Sequence, residues 1–209
     1  MDFIRAITYP FSDVEWPGKL LITALLTFSI VLFPLGFLTL AILLGYSMAI
    51  CGNVMRGVRP PMPRWTHYSE WLSDGVPVLV ALFIYYLPVL LIIATAFTIS
   101  SINNAILTGL FSLVLACCLF PLTIAYGLLA WALLARGFIR YQATGQGSSF
   151  FQIGRLWGEI TAYSSETIQW LVSALAVNIL LSFLVIIPCL GWVAMLALAI
   201  PSQAHLLGQ

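Results

Sequence analysis

Apolar residues along this chain come in long unbroken runs, not in the short periodic stripes of a helix on a soluble core. Four runs stand out: Leu20 to Ile50, Val76 to Ile99, Ala105 to Ala135, and Thr167 to the carboxyl end. All fifteen acidic and basic residues fall outside them, in three islands: Asp2 to Lys19, Arg56 to Asp74, and Arg136 to Glu166. A helix rises 1.5 Å per residue, so about 20 apolar residues cross a hydrocarbon layer of about 30 Å. The first and last runs exceed one such crossing. Pro and Gly in "FPLGF", Phe33 to Phe37, and in "IPCLGW", Ile187 to Trp192, supply turns inside them, and the uncharged "SSINN", Ser100 to Asn104, separates the middle two.

The pattern predicts an all-α polytopic membrane protein with six spans, roughly 17 to 34, 35 to 56, 76 to 99, 105 to 139, 166 to 187 and 189 to 206. The alternative fold is four spans plus two re-entrant hairpins, with the 20–50 and 167–206 segments the ones left to span or re-enter. Pro121 in "LFPLT" should kink the overlong fourth span, because proline lacks the N–H and clashes with the preceding turn. The hydroxyls of "TFSI", Thr27 to Ile30, are expected to bond back into their own helix.

Composition and charge agree with this. The chain is 62% hydrophobic and 7% charged, against about a quarter charged in a soluble domain, and its mean hydropathy is +1.06. A net charge of +1 excludes the clustered basic face that nucleic acid requires. The four cysteines, Cys51, Cys117, Cys118 and Cys189, lie inside apolar runs without C-x-x-C spacing and read as small buried hydrophobes. Asp2, Asp13 and Glu15 precede the first apolar run, unlike the basic start of a cleaved signal, so that run is expected to stay in the mature protein.

Cytoplasmic loops collect Lys and Arg. Arg5 and Lys19, then Arg56, Arg59 and Arg64, then Arg136, Arg140 and Arg155 mark all three islands as cytoplasmic, and the chain must cross an even number of times between them. The expected organisation is one membrane domain: an interfacial anchor over 1–19, a first half over 20–99 and a second over 105–206. A shift of 80 residues lays Tyr46 on Tyr126, Arg56 on Arg136 and Gly57 on Gly137, which suggests an internal duplication.

Two aromatic stretches read as short interfacial amphipathic helices. In "SFFQIGRLWGEITAY", Phe150, Ile153, Trp157 and Ile160 share one face and Gln152, Arg155 and Glu159 the other, with Ser149 and Gln152 at capping-box spacing. In "RWTHYSEWLSD", Trp65, Tyr68, Trp71 and Leu72 oppose His67, Glu70 and Asp74. Tyr9, Phe11 and Trp16 add rings to the amino-terminal stretch, and Pro17 suits the first turn of a helix. The expected membrane-interface anchors are therefore Tyr9, Trp16, Arg56, Arg59, Trp65, Trp71, Arg136, Arg140 and Trp157.

"DFIRAITYPFSDVEWPGKLLI", Asp2 to Ile22, followed by "LLGYSM" and "MRGVRPPMPRWTHYSEWLSDG", resembles the prokaryotic membrane family catalogued as domain of unknown function 4013. The resemblance implies a multi-span protein of a prokaryotic cytoplasmic membrane and carries no activity to transfer.

Candidate chemistry is sparse. His67, Glu70 and Asp74 share one helical face at a spacing that suits a metal, but a solvated polar face is the commoner reason for such a pattern. His205 reads as a hydrogen-bonding anchor. No ionisable residue lies in the middle of a span, against an ion-coupled pump. Asn178, with Ser173 and Ser182 nearby, is the most polar intramembrane feature and reads as a contact to a neighbouring helix. No nucleophile elbow, zinc helix or phosphate loop occurs. The expectation is a non-enzymatic integral membrane protein without cofactor or metal, an accessory or assembly subunit whose partners are the bilayer and a membrane protein or a second copy of itself. The alternative is a permease-like carrier for an uncharged or lipid-like solute around Asn178.

Overall fold

The computed structural model describes residues 3–32, 34–59, 62–102, 104–188 and 190–209. Expectations for Asp2, for a turn at Phe33 and for burial of Cys189 lie outside them. Within them the secondary structure is all helical. A short α1, Phe3–Thr8, and a 3-10 turn, Tyr9–Ser12, lead into α2, Trp16–Ser29, and α3, Leu35–Met55. The long α4, Tyr68–Ser101, is followed by α5, Ala105–Val114, which runs through a π turn at Leu115–Leu119 into α6, Phe120–Thr144. A 3-10 turn, Gly147–Phe151, α7, Ile153–Ala162, α8, Ser164–Ser182, and α9, Gly191–Gly208, complete the chain. Five stretches are long and apolar enough to cross a membrane: α3, α4, the joined α5 and α6, α8 with its 3-10 extension, and α9.

The first expected span, 17 to 34, is shorter than its sequence suggested. α2 has 14 residues, about 21 Å at helical rise. Pro17 lies in its first turn, and its hydroxyls bond inward as expected, Thr27 Oγ1 to the Thr23 carbonyl at 2.8 Å and Ser29 Oγ to the Leu25 carbonyl at 2.8 Å. The third expected span gains eight residues at its start, since α4 begins at Tyr68. The "RWTHYSEWLSD" stretch is therefore the entry to a long helix, not a separate surface helix. Near Pro121 the helix takes up the missing hydrogen bond as the π turn just before it.

Small residues set the closest helix approach. A Cβ on Gly45 would run into the Trp71 carbonyl, and one on Gly75 into the Ala41 carbonyl, so α3 and α4 touch backbone to backbone. Further along, the Phe37 and Phe83 rings meet at 5.5 Å. α9 lies beside α3, where a Cβ on Gly208 would meet Val54 and the Cys51 carbonyl. Phe28 at the end of α2 stacks on Trp192 at the start of α9, centroids 6.1 Å apart. Past Phe83, Ile84, Leu87, Leu90, Leu91, Ile93 and Phe97 of α4 are exposed, as are Leu110, Leu113, Phe120 and Leu122 of α5 and α6. Cys51 is buried but Cys117 and Cys118 are exposed, because they lie on this outlying helix pair.

Two further local expectations change. α7 has no side-chain cap, and Ser149, which was to cap it, is buried in the preceding 3-10 turn. Its expected single apolar face is divided: Phe150 packs inward and Ile160 is half-buried, while Ile153 and Trp157 are exposed and Leu156, outside that face, is buried. The paired positions of the 80-residue shift differ in setting, with Gly57 at φ 69° beyond the end of α3 and Gly137 inside α6 against the Phe150 ring.

Replacing Gly45 or Gly75 by leucine should separate α3 from α4 and lower stability by about 1–3 kcal/mol or more. Gly127→Ala, in α6 with open space around it, should be neutral or gain up to about 1 kcal/mol. Thermal unfolding in detergent distinguishes the two.

Candidate functional site

The polar residues of the first two islands converge at one end of the helices. Asp13 and Lys19 are both buried and form an ion pair at 2.5 Å. Asp13 Oδ1 also accepts the Glu15 backbone N–H at 2.9 Å, an Asx-type turn that opens α2. Lys19 Nζ donates a second bond to the Met62 carbonyl at 2.9 Å. The next turn is fastened to the same point, since Trp65 Nε1 donates to the Lys19 carbonyl at 3.2 Å. On the surface Arg64 holds Glu15 through two bonds of 3.0 and 2.6 Å. Residues 13–19 and 62–65 are thus bound together by the Lys19–Met62 and Trp65–Lys19 hydrogen bonds and by the exposed Arg64–Glu15 pair, while the buried Asp13–Lys19 pair fixes the first segment internally.

An aromatic cluster supports this junction. Tyr46, fully buried in α3, stacks on Trp65 at 4.1 Å, and Trp71 meets both rings edge-on at 5.2 and 5.0 Å. Edge-to-face and offset pairs of this kind add to the burial of their apolar area. Tyr9 is also buried and lies 4.4 Å from the His205 ring of α9. Burial, followed by the nearby Tyr46 and the Asp13 carboxylate, pushes the Tyr9 hydroxyl well above its ordinary range, so it keeps its proton. A groove of about 1330 Å³ opens beside these groups, with Arg5, Arg59, Arg64 and His205 on its walls.

The third island is tied separately. Arg140 Nη1 donates to Glu159 Oε1 at 2.6 Å, joining α6 to α7. Arg136 Nη2 donates to Thr167 Oγ1 at 2.6 Å and to the Tyr163 carbonyl at 3.2 Å, joining α6 to the start of α8. Tyr85 donates to the Phe150 carbonyl at 2.8 Å, and Tyr126 to the Tyr85 carbonyl at 2.6 Å.

The nine anchor positions divide by exposure. Tyr9, Trp65 and Trp71 point into the protein interior, whereas Trp16, Arg56, Arg59 and Trp157 are exposed and Arg136 and Arg140 are half-buried. His67 and Glu70 approach to 3.5 Å, and no group of three His, Cys, Asp or Glu among the described residues is placed to hold a metal ion. Asn178 is half-buried. A separate apolar cavity of about 280 Å³ lies between α3, α4, α6, α8 and α9, with Ser47, Trp131, Trp170 and Gln203 among its walls. Trp170 Nε1 and Gln203 Oε1 are buried without a hydrogen-bond partner.

Sequence reasoning missed the Asp13–Lys19 pair, whose six-residue spacing fits no helical pairing rule, and the role of the Met62 carbonyl. It also missed Gln203, which donates to the Ala174 carbonyl at 3.0 Å and lies in a run that reads as uniformly apolar.

Lys19→Met should cost about 3–5 kcal/mol by stranding a buried carboxylate, and the double change with Asp13→Leu should recover most of it. Tyr9→Phe should be neutral or slightly stabilising, because the hydroxyl is buried without a partner. Unfolding midpoints of the purified variants in detergent test both.

No curated protein and no solved structure matches the chain. The model of the family described as protein of unknown function (DUF4013) matches residues 20–190, a stretch that starts just after the Asp2–Lys19 island and covers most of the helices described above. The chain belongs to this family of unknown function, and its apolar helices mark it as a membrane protein.

Proposed function

We propose that the protein is a non-enzymatic subunit of a larger membrane complex, held with its three charged islands on the cytoplasmic side and acting through helix contacts with a membrane-protein partner. The observation that supports this most is where the charged groups are used. Asp13 meets Lys19, Glu15 meets Arg64, Glu159 meets Arg140, and Arg136 meets Thr167. The first pair fixes the entry to α2 and the other three join separate segments of the chain, while the broadest surface left open is the apolar exterior of α4, α5 and α6. Trp16, Trp157, Arg56 and Arg59, all exposed, act in this reading as anchors at the membrane boundary. Each helical hairpin returns the chain to the side it left, so the islands share one side.

A second reading, a carrier for an uncharged or lipid-like solute, is favoured by the apolar cavity, with Ser47 and Gln203 of its wall in place of Asn178.

Reporter insertions at Gly57, Asn104 and Gly147 are expected to read inside, outside and inside; any other order overturns the sidedness. Purification from the native membrane in mild detergent should bring a stoichiometric membrane-protein partner with it. A lone protein that moves solute across liposomes would replace the subunit reading with the carrier.

A further inference from the structure

We infer that the α2–α3 and α8–α9 hairpins enter only the acyl-chain region of the cytoplasmic leaflet, leaving α4 and the joined α5 and α6 as the two full crossings. The inference rests on the sidedness proposed above. Its first support is the register of α3 on α4. Gly45 is the central residue of α3, Leu35–Met55, and it lies against the Trp71 carbonyl, with Gly75 against the Ala41 carbonyl. If α3 crossed the bilayer from face to face, its centre would lie at the midplane and would carry Glu70 and Asp74 there with it. Both carboxylates are exposed, the Glu70 side chain by 71%. Among the described residues no ion pair joins either to a basic side chain other than His67, which lies by Glu70 and is itself 60% exposed. Charged groups facing lipid at the midplane are strongly disfavoured. The level of Ala41 to Gly45 is therefore at the aqueous boundary, and only the part of α3 before it is submerged.

Depth on the other side follows from α4. Its apolar run starts at Val76 and ends at Ile99. The contact of Phe37 with Phe83 places the start of α3 seven residues into that run, about 10 Å deep at helical rise. Sixteen more residues of α4, about 24 Å, continue beyond it. The Phe28–Trp192 stack puts the tip of the second hairpin beside the first. Both tips are apolar and open: Leu32, Leu35, Ile186, Ile187 and Leu190 are exposed. Acyl chains around α4 are continuous with these tips and at the same depth, so they are the occupant that covers them. Four helix ends in one leaflet and a two-helix stem in the other give the molecule a wedge-shaped cross-section.

Single cysteines placed by Val58→Cys, Leu32→Cys, Ile187→Cys and Ile102→Cys in a chain lacking its native four, in sealed vesicles of known orientation, test the depth. A membrane-impermeant maleimide should label position 58 only from the cytoplasmic side and position 102 only from the opposite side. Positions 32 and 187 should react at least tenfold more slowly from either side, and a fluorophore attached there in detergent before reconstitution should be quenched by phospholipids spin-labelled along the acyl chain. Labelling of 32 or 187 from the side that labels 102 would show that the hairpins cross, and labelling from the cytoplasmic side would show that the tips are not submerged. Either result overturns the inference and leaves the membrane reading standing, whereas 58 and 102 reacting from one side would remove the sidedness itself. If the cysteine-free chain does not accumulate, the same positions are read by mass spectrometry in a chain that keeps its native cysteines.

Discussion

The backbone contact between α3 and α4 fixes more of this structure than any other interaction. In lipid, apolar side chains gain little by leaving one hydrocarbon surface for another, so helix association depends on close van der Waals approach. Gly45 and Gly75 remove the side chains that would keep the two backbones apart, and each faces a carbonyl of the other helix. That contact sets the register of α4 on α3. Trp71 is thereby brought under Tyr46 and Trp65, and Phe83 is brought to the start of α3. The depth of every polar group on α4 relative to α3 follows from it.

The polar junction depends on the same register. Lys19 reaches the Met62 carbonyl only because residues 62–67 fold back to start α4 beside the middle of α3. A buried ion pair adds little net stability, since desolvation offsets most of the attraction. Its effect here is selective: Asp13 takes the ammonium, the Glu15 amide bonds Asp13, and the Lys19 carbonyl takes the Trp65 indole. An amino-terminal segment in another position would leave a carboxylate and an ammonium buried and unpaired.

How much of this the sequence shows depends on the range of the interaction. Apolar run length made the helices legible, as did proline and hydroxyl positions: Pro17 opens α2 and Thr27 bonds back to Thr23. What failed was anything decided across the bundle. Trp65 and Trp71 have the side chains of boundary residues, and nothing in their own stretch says that Tyr46, some 20 residues earlier, will bury them. α4 starts at Tyr68, and its first turns pack on α3 through Gly45 and Gly75, whereas Glu70 and Asp74 mark that stretch as the polar face of a separate surface helix. In the candidate site, the basic residues were legible as a group and their partners were not, since Asp13 with Lys19 and Arg140 with Glu159 follow no local spacing rule.

The lengths of the helices give the last step. α4 has 34 residues, and the stretch from Ile106 to Thr144 has 39, whereas α2, α3, α8 with its 3-10 extension and α9 have 14, 21, 23 and 18. Helices that all crossed one bilayer would converge on a common length, with differences taken up by tilt. Here the long pair outruns the others, and past Phe83 its side chains are largely exposed. The charged islands, with their ion pairs, gather at the opposite end, where the short helices are. The molecule is thus divided along its length into a polar, many-helix end and an apolar, two-helix end. The first is where the chain binds to itself, and the second carries the broad apolar surface that a neighbouring membrane helix can contact.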